Sequence, residues 1–165
     1  MSSSTPEALS AVVITVSDSC ARGERTDLSG PAVSDVLKKH NFVIAGTETV
    51  PDEQAVIQQA LLAWVSRVRL VVTTGGTGIA PRDVTPEATR AVCERLLEGI
   101  AERMRAEGAK KTPLAALSRA VCGVRGKSLI LNLPGSPTGA VQSLESVIDL
   151  VPHALQLLTG NTQHE

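Results

Sequence analysis

Polar and apolar positions along the chain alternate between a period of two and a helical period. Residues 11–16, Ala-Val-Val-Ile-Thr-Val, form an apolar, β-branched run that predicts a buried strand. A polar stretch runs from Ser17 to Ser29, and Gly30-Pro31 then opens a predicted helix to about His40. Residues 42–50 read as a second strand. Pro51-Asp52 supplies a stop and a helix cap, after which Val56, Ile57, Ala60, Leu61 and Trp64 recur at helical spacing. Residues 70–74 read as a third strand. Thr85-Pro86-Glu87 reads as an N-cap, a first-turn proline and an early acid. The helix they start is predicted to run to about Arg105, with Val92, Leu96, Ile100 and Met104 on one face and a break at Gly99. Residues 121–124 and 128–133 predict a hairpin around Arg125-Gly126. A last helix carries the stripe Val141, Leu144, Ile148, Val151, Leu155 and Leu158.

Strands alternating with helices predict an α/β fold: a three-layer α/β/α arrangement around a mainly parallel, mixed sheet. The 165 residues fit one domain, 1–165, with frayed ends at about 1–9 and 160–165.

Composition narrows the chemistry. Aromatic residues make up 1% of the chain, so the core is aliphatic and base stacking on aromatic platforms is nearly excluded. A net charge of −1 gives no basic field to recruit nucleic acid or an anionic membrane. Cys20, Cys93 and Cys122 are too far apart for a C-x-x-C pair, which argues for reduced thiols and a cytoplasmic protein. No segment reads as a signal peptide or a membrane span.

Parallel strands present their C-terminal ends to one edge, where such sheets bind ligands. Three polar loops follow strands there: residues 17–30, 75–83 and 134–138. The middle one is the most informative. Thr73-Thr74-Gly75-Gly76-Thr77-Gly78 lies between a buried strand and a helix start, which is how α/β sheets build anion sites. Asp52 falls on the same edge, where it reads either as a helix cap or as part of the site. Ser17, Asp18 and Ser19 read as turn formers or as ligand contacts, and Pro134-Gly135-Ser136-Pro137 as a tight turn or a fourth wall. Their convergence favours a shared site. A carboxylate beside phosphate-cradling amides is repelled unless a cation lies between them, so Asp52 and Asp83 are candidates to hold magnesium. Arg82, Arg119 and Lys127 are candidate phosphate partners or, equally, structural cations.

Three decoys fail their context tests. Gly126-Lys127-Ser128 mimics the end of a phosphate-binding P-loop, but Val121 stands at the first glycine and an apolar strand follows. In the half-fingerprint Gly76-Thr77-Gly78, Pro81 replaces the third glycine of a dinucleotide site. His40, His153 and His164 show no ligand spacing for zinc.

Taken together, residues 15–19, 50–53, 73–78 and 81–88 resemble the molybdenum-cofactor biosynthesis family (Mog-type, MoaB-type and gephyrin G domains). Thr112-Pro113, Leu117-Ser118-Arg119, residues 123–127 and Asn132-Leu133-Pro134-Gly135-Ser136 carry the resemblance on, so that it covers about residues 11–158. It implies a homotrimer that adenylylates molybdopterin with magnesium ATP, releases pyrophosphate and hands its product to a molybdate-insertion enzyme. It implies Asp52, Asp83 and Ser118 as catalytic residues. Ser17, Asp18, Ser19, Gly75, Gly76, Thr77, Gly78, Arg82, Pro134, Gly135 and Ser136 are the implied substrate-binding residues. The MoaB-type branch implies the alternative of a non-catalytic molybdopterin-binding or scaffold protein.

Overall fold

The computed structural model describes residues 9–160. Six strands form one mixed sheet in the order β2-β1-β3-β6-β5-β4. β1 (Leu9–Val16), β2 (Phe42–Val50), β3 (Leu70–Thr74) and β6 (Ser128–Leu133) run parallel. β5 (Cys122–Arg125) and β4 (Arg95–Leu96) finish the sheet antiparallel. Thr15 pairs with Thr74, Thr74 with Leu133, and Val16 with Val50, so four parallel strands end on one edge.

Alternation along the strands divides the core into two layers. Val13, Val72 and Leu131 face one side, where α2 (Ser29–Lys39), α5 (Glu98–Ala109), α6 (Pro137–Val147) and α7 (Val151–Leu158) cover them. Val12, Ile14, Val71 and Ile130 face the other, under α3 (Gln54–Val65) and α4 (Thr85–Val92). The three-layer expectation holds. β3 is buried along its whole length, as a strand covered on both faces must be.

Four local expectations change. The polar stretch after β1 contains a short helix, α1 (Asp18–Ala21), capped by the Ser17 side chain on the Cys20 amide. The helix predicted over residues 85–105 breaks at Cys93 instead of Gly99. There the backbone turns extended, and Glu94 and Leu97 donate to the carbonyls of Val124 and Cys122. The open edge of β5 recruits residues 95–96 as a strand, and that pairing overrides helix propensity. The last helix divides at a 3-10 turn, Ile148–Leu150, ahead of Pro152 near the α7 start; proline cannot donate to Ile148 and crowds that turn. Leu9, expected to fray, pairs with Phe42 in β1, and Gly160 closes the end of α7 by donating to the Leu157 carbonyl. The remainder of the expected frayed ends lies outside the described residues.

Candidate functional site

The loop after β3 has its backbone polarity sorted. Gly75 and Gly76 both take positive φ, 93° and 70°. A side chain at Gly75 would run into the Val16 carbonyl oxygen, so only glycine lets these strand ends approach. The four carbonyls from Gly75 to Gly78 are all engaged. Thr85 Oγ1 donates to Gly75 O at 2.9 Å and the Thr85 amide to Gly76 O at 3.1 Å. The Arg119 amide donates to Thr77 O at 2.8 Å and Arg119 Nε to Gly78 O at 2.7 Å. The amides of Gly76, Thr77 and Gly78 have no protein acceptor among the described residues. Thr85 thus ties the loop from inside α4, whose cap residue is Val84, rather than capping the helix itself.

Asp52 does not cap α3 either. That position belongs to Glu53, whose side chain makes no capping bond. Asp52 Oδ2 instead accepts from the Asp18 amide at 2.9 Å, while Asp18 Oδ1 accepts from the Asp52 amide at 3.0 Å. Arg82 closes a fork on Asp18, Nε to Oδ2 at 2.7 Å and Nη2 to Oδ1 at 2.9 Å. The Arg82 hydrogen bond, with the Asp52 amide, lowers the Asp18 pKa to about 2. Burial raises the pKa of Asp52, with Asp18 and Asp83 adding repulsion. Asp52 Oδ1 lies 3.2 Å from where a side chain at Gly76 would start, and Asp83 Oδ2 2.9 Å from the same point at Gly78. The two carboxylates therefore flank the open amides. Among the described residues no cluster of three or more His, Cys, Asp or Glu forms, so a cation here would complete its coordination with water and substrate oxygens.

The loop after β6 meets the same place. A side chain at Gly135 would start 3.3 Å from Gly75 Cα, and Ser136 Oγ caps α6 by accepting from the Gly139 amide at 3.1 Å. Two adjoining cavities open here, of about 470 and 340 Å³. Thr77, Gly78, Ser118 and Pro134 line the larger, and Ser17 and Gly75 the smaller together with Asp52. Gly76, Asp83, Gly135 and Ser136 lie on their shared wall. Asp18, Ser19 and Arg82 line neither. Asp18 and Arg82 are taken up by each other, and Ser19 Oγ lies 3.2 Å from Ser17 Oγ.

Two of the cations left open between phosphate partner and structural cation line neither cavity. Arg119 commits its guanidinium to protein: Nε to Gly78 O, Nη2 to Asp83 O at 2.7 Å, and Nη1 to Glu87 at 2.7 Å. Lys127 precedes β6 at the opposite edge of the sheet, where its carbonyl accepts from Arg69. Sequence reasoning missed Asp27. It lines the smaller cavity and gathers Thr15 Oγ1 at 2.7 Å, the Gly30 amide at 3.0 Å and Ser29 Oγ at 3.3 Å. The signal was Asp27 three residues ahead of a helical Gly-Pro. Met104, Leu114 and Leu117 on the apolar side of the larger cavity were also missed; Met104 reads as the core face of a helix, and nothing local marks Leu114 or Leu117.

Residues 12–153 match the family described as "Probable molybdopterin binding domain". The chain belongs to this family. Within it, the chain is 43% identical over 153 residues to the molybdopterin adenylyltransferase of Helicobacter pylori strain J99, covering 90% of this chain and 87% of that protein. The molybdenum cofactor synthesis protein cinnamon of Drosophila melanogaster is 42% identical over 92% of this chain, which spans only 26% of that longer protein. The crystal structure of the molybdopterin biosynthesis enzyme MoaB from Thermus thermophilus superposes with a TM-score of 0.87 at 52% identity, covering 93% of this chain and 98% of that one. The family's fold is therefore this chain's fold.

Proposed function

We propose that this family member is a molybdopterin adenylyltransferase. The terminal phosphate oxygen of molybdopterin attacks the α-phosphorus of ATP, forming one phosphoanhydride bond while the bond to pyrophosphate breaks. The observation that carries this reading is a run of open amides, Gly76 to Gly78, between the carboxylates of Asp52 and Asp83 where two cavities meet. Two adjoining cavities suit a reaction that joins two substrates, and the relative named for this activity supports the same choice.

Nucleotidyl transfer asks the protein chiefly to align phosphates and absorb their charge. The amides of Gly76, Thr77 and Gly78 hold phosphate oxygens and take up charge that grows in transfer. Asp52 and Asp83 fit a magnesium ion shared with the phosphates: Asp52 Oδ1 and Asp83 Oδ1 accept no protein hydrogen bond among the described residues, and Asp52 gains from a neighbouring cation what burial has cost it. When bound, such an ion neutralises the phosphates and orders them. Ser118 Oγ accepts from the Ala120 amide at 3.3 Å, which leaves its O–H to donate into the larger cavity. Met104, Leu114 and Leu117 give that cavity an apolar side.

The homotrimer and the molybdate-insertion enzyme as recipient are carried over from the family resemblance, and the cytoplasmic location from the widely spaced cysteines. Burial pushes the Cys93 thiol up to about 11 and that of Cys122 to about 12, so both stay protonated and unreactive, which suits a reducing compartment. No helix among the described residues is long and apolar enough to cross a membrane.

The second reading, a molybdopterin-binding protein without turnover, is the alternative that the MoaB-type branch of the resemblance implies. Pyrophosphate release separates the two. With ATP, magnesium and molybdopterin, the protein releases about one pyrophosphate per pterin and none when pterin is omitted. Tight pterin binding without release would sink the enzyme reading.

A further inference from the structure

Arg119 reaches the glycine loop from behind. Its amide holds Thr77 O, its Nε holds Gly78 O, and its Nη2 holds Asp83 O. Glu87, in the first turn of α4, accepts from Nη1 at 2.7 Å and from Nη2 at 3.2 Å and so sets the plane of the guanidinium. A peptide unit whose carbonyl is held on one side must show its next amide to the other. We propose that Arg119, oriented by Glu87, is a positioning residue for phosphate binding. It never touches the substrate, but through Thr77 O and Gly78 O it holds the Gly78 and Ile79 amides turned away from itself, and it fixes the backbone that carries Asp83, while Thr85 holds the Gly75 and Gly76 carbonyls.

The arrangement needs a planar fork. Lysine offers one point charge and cannot serve two carbonyls and a carboxylate in fixed directions. The Arg119–Glu87 pair is over a third exposed on each side chain, 36% and 38%, so as an ion pair it adds little to global stability. A purely structural role would therefore appear in the melting temperature, and a positioning role in phosphate affinity.

The test titrates magnesium pyrophosphate, then AMP, into wild type, Arg119→Lys, Arg119→Ala and Glu87→Gln by calorimetry, with thermal melts in parallel. Arg119→Lys is expected to bind pyrophosphate about tenfold more weakly, one lost charge-assisted bond, with the melting temperature within about 5 °C of wild type. Glu87→Gln, which keeps an acceptor without its charge, falls in between. For Arg119→Ala, about 20 mM guanidinium restores affinity where the same concentration of sodium chloride does not, a rescue that a scaffold residue would not show. If Arg119→Ala does not fold, Arg119→Lys decides alone. Unchanged affinity in Arg119→Lys, or affinity lost only in step with melting, overturns the proposal.

The proposal rests on the adenylyl-transfer reading only in taking phosphate as the bound group. A wild type that binds pyrophosphate but forms no pterin adduct fails that reading and leaves this one standing. A wild type that binds neither pyrophosphate nor AMP overturns the positioning role.

Discussion

Asp18 and Asp52 hold each other across 34 residues of sequence: the amide of each donates to the carboxylate of the other, at 2.9 and 3.0 Å. This exchange joins the loops after β1 and β2 and gives two aspartates on one strand edge opposite duties. Asp18 is consumed by the Asp52 amide and the Arg82 fork. Asp52 keeps Oδ1 toward the glycine loop.

The first prediction concerns Asp18 and acid. Its folded pKa, about 2, lies below the ordinary 3.8, because Arg82 and the Asp52 amide favour the ionised form. Ionised Asp18 therefore adds stability that is present above about pH 4 and is lost as pH falls toward about 2. Melting temperature against pH should fall less steeply between about pH 4 and about pH 2 in Asp18→Asn than in wild type. Equal slopes would contradict the ion pair.

Asp52 has the reverse sign. Its folded pKa is raised by burial, so the folded state favours the protonated form and loses stability as pH rises from the ordinary 3.8 through the raised value. Asp52→Asn keeps an acceptor for the Asp18 amide and removes the half-buried charge. It should melt no lower than wild type at about pH 7 while losing roughly 100-fold or more of adenylyl transfer, a few kcal/mol of transition-state stabilisation. The acid limb of the wild-type rate profile should lie above the ordinary aspartate value of 3.8. Wild-type turnover in Asp52→Asn removes Asp52 from the mechanism.

Gly75 and Gly78 should separate folding from chemistry. Gly75→Ala combines a positive φ of 93° with a collision against the Val16 carbonyl, and should cost about 2–4 kcal/mol in urea unfolding. Gly78 has no such backbone demand, but its new methyl would meet Asp83 Oδ2 at 2.9 Å. Gly78→Ala should keep nearly full stability and lose turnover because the carboxylate is displaced. Equal stability losses in the two variants would count against this division.

Asn132 supports the site from within the core. Fully buried on β6, it donates Nδ2 to Thr73 and Thr89 hydroxyls at 3.0 Å each and accepts from the Val121 amide at 3.0 Å. Asn132→Leu leaves that amide without a partner and should cost about 2–4 kcal/mol. A chemical-denaturation change under about 1 kcal/mol would show that the network carries little.

The apolar, β-branched runs in residues 11–16, 70–74 and 128–133 located the three central parallel strands, because a strand buried on both faces leaves that signature. Residues 42–50 were also legible as a strand, which is the more exposed edge strand β2. The breaks at Cys93 and Ile148 were less legible. The first depends on a partner edge supplied by β5, a long-range pairing that no local window contains. The second was written in Pro152 and outweighed by the apolar stripe of residues 141–158. At the site, the glycine loop and Pro134-Gly135-Ser136 converge as the strand-end rule implies. Which charges face the cavities was not legible. Arg82 and Arg119 look alike in sequence, yet one forks onto Asp18 and the other onto carbonyls behind the loop. Asp18 and Asp52 look alike too, and only their reciprocal bonds show which one is left open.

The central claim, that open amides flanked by Asp52 and Asp83 transfer AMP to molybdopterin, is tested most directly by mass spectrometry of the pterin after incubation with magnesium ATP. The wild type should give the pterin–AMP adduct, and Asp83→Asn, folded by circular dichroism, almost none. Bound pterin that stays unmodified with the wild type, or full adduct formation by Asp83→Asn, would contradict it.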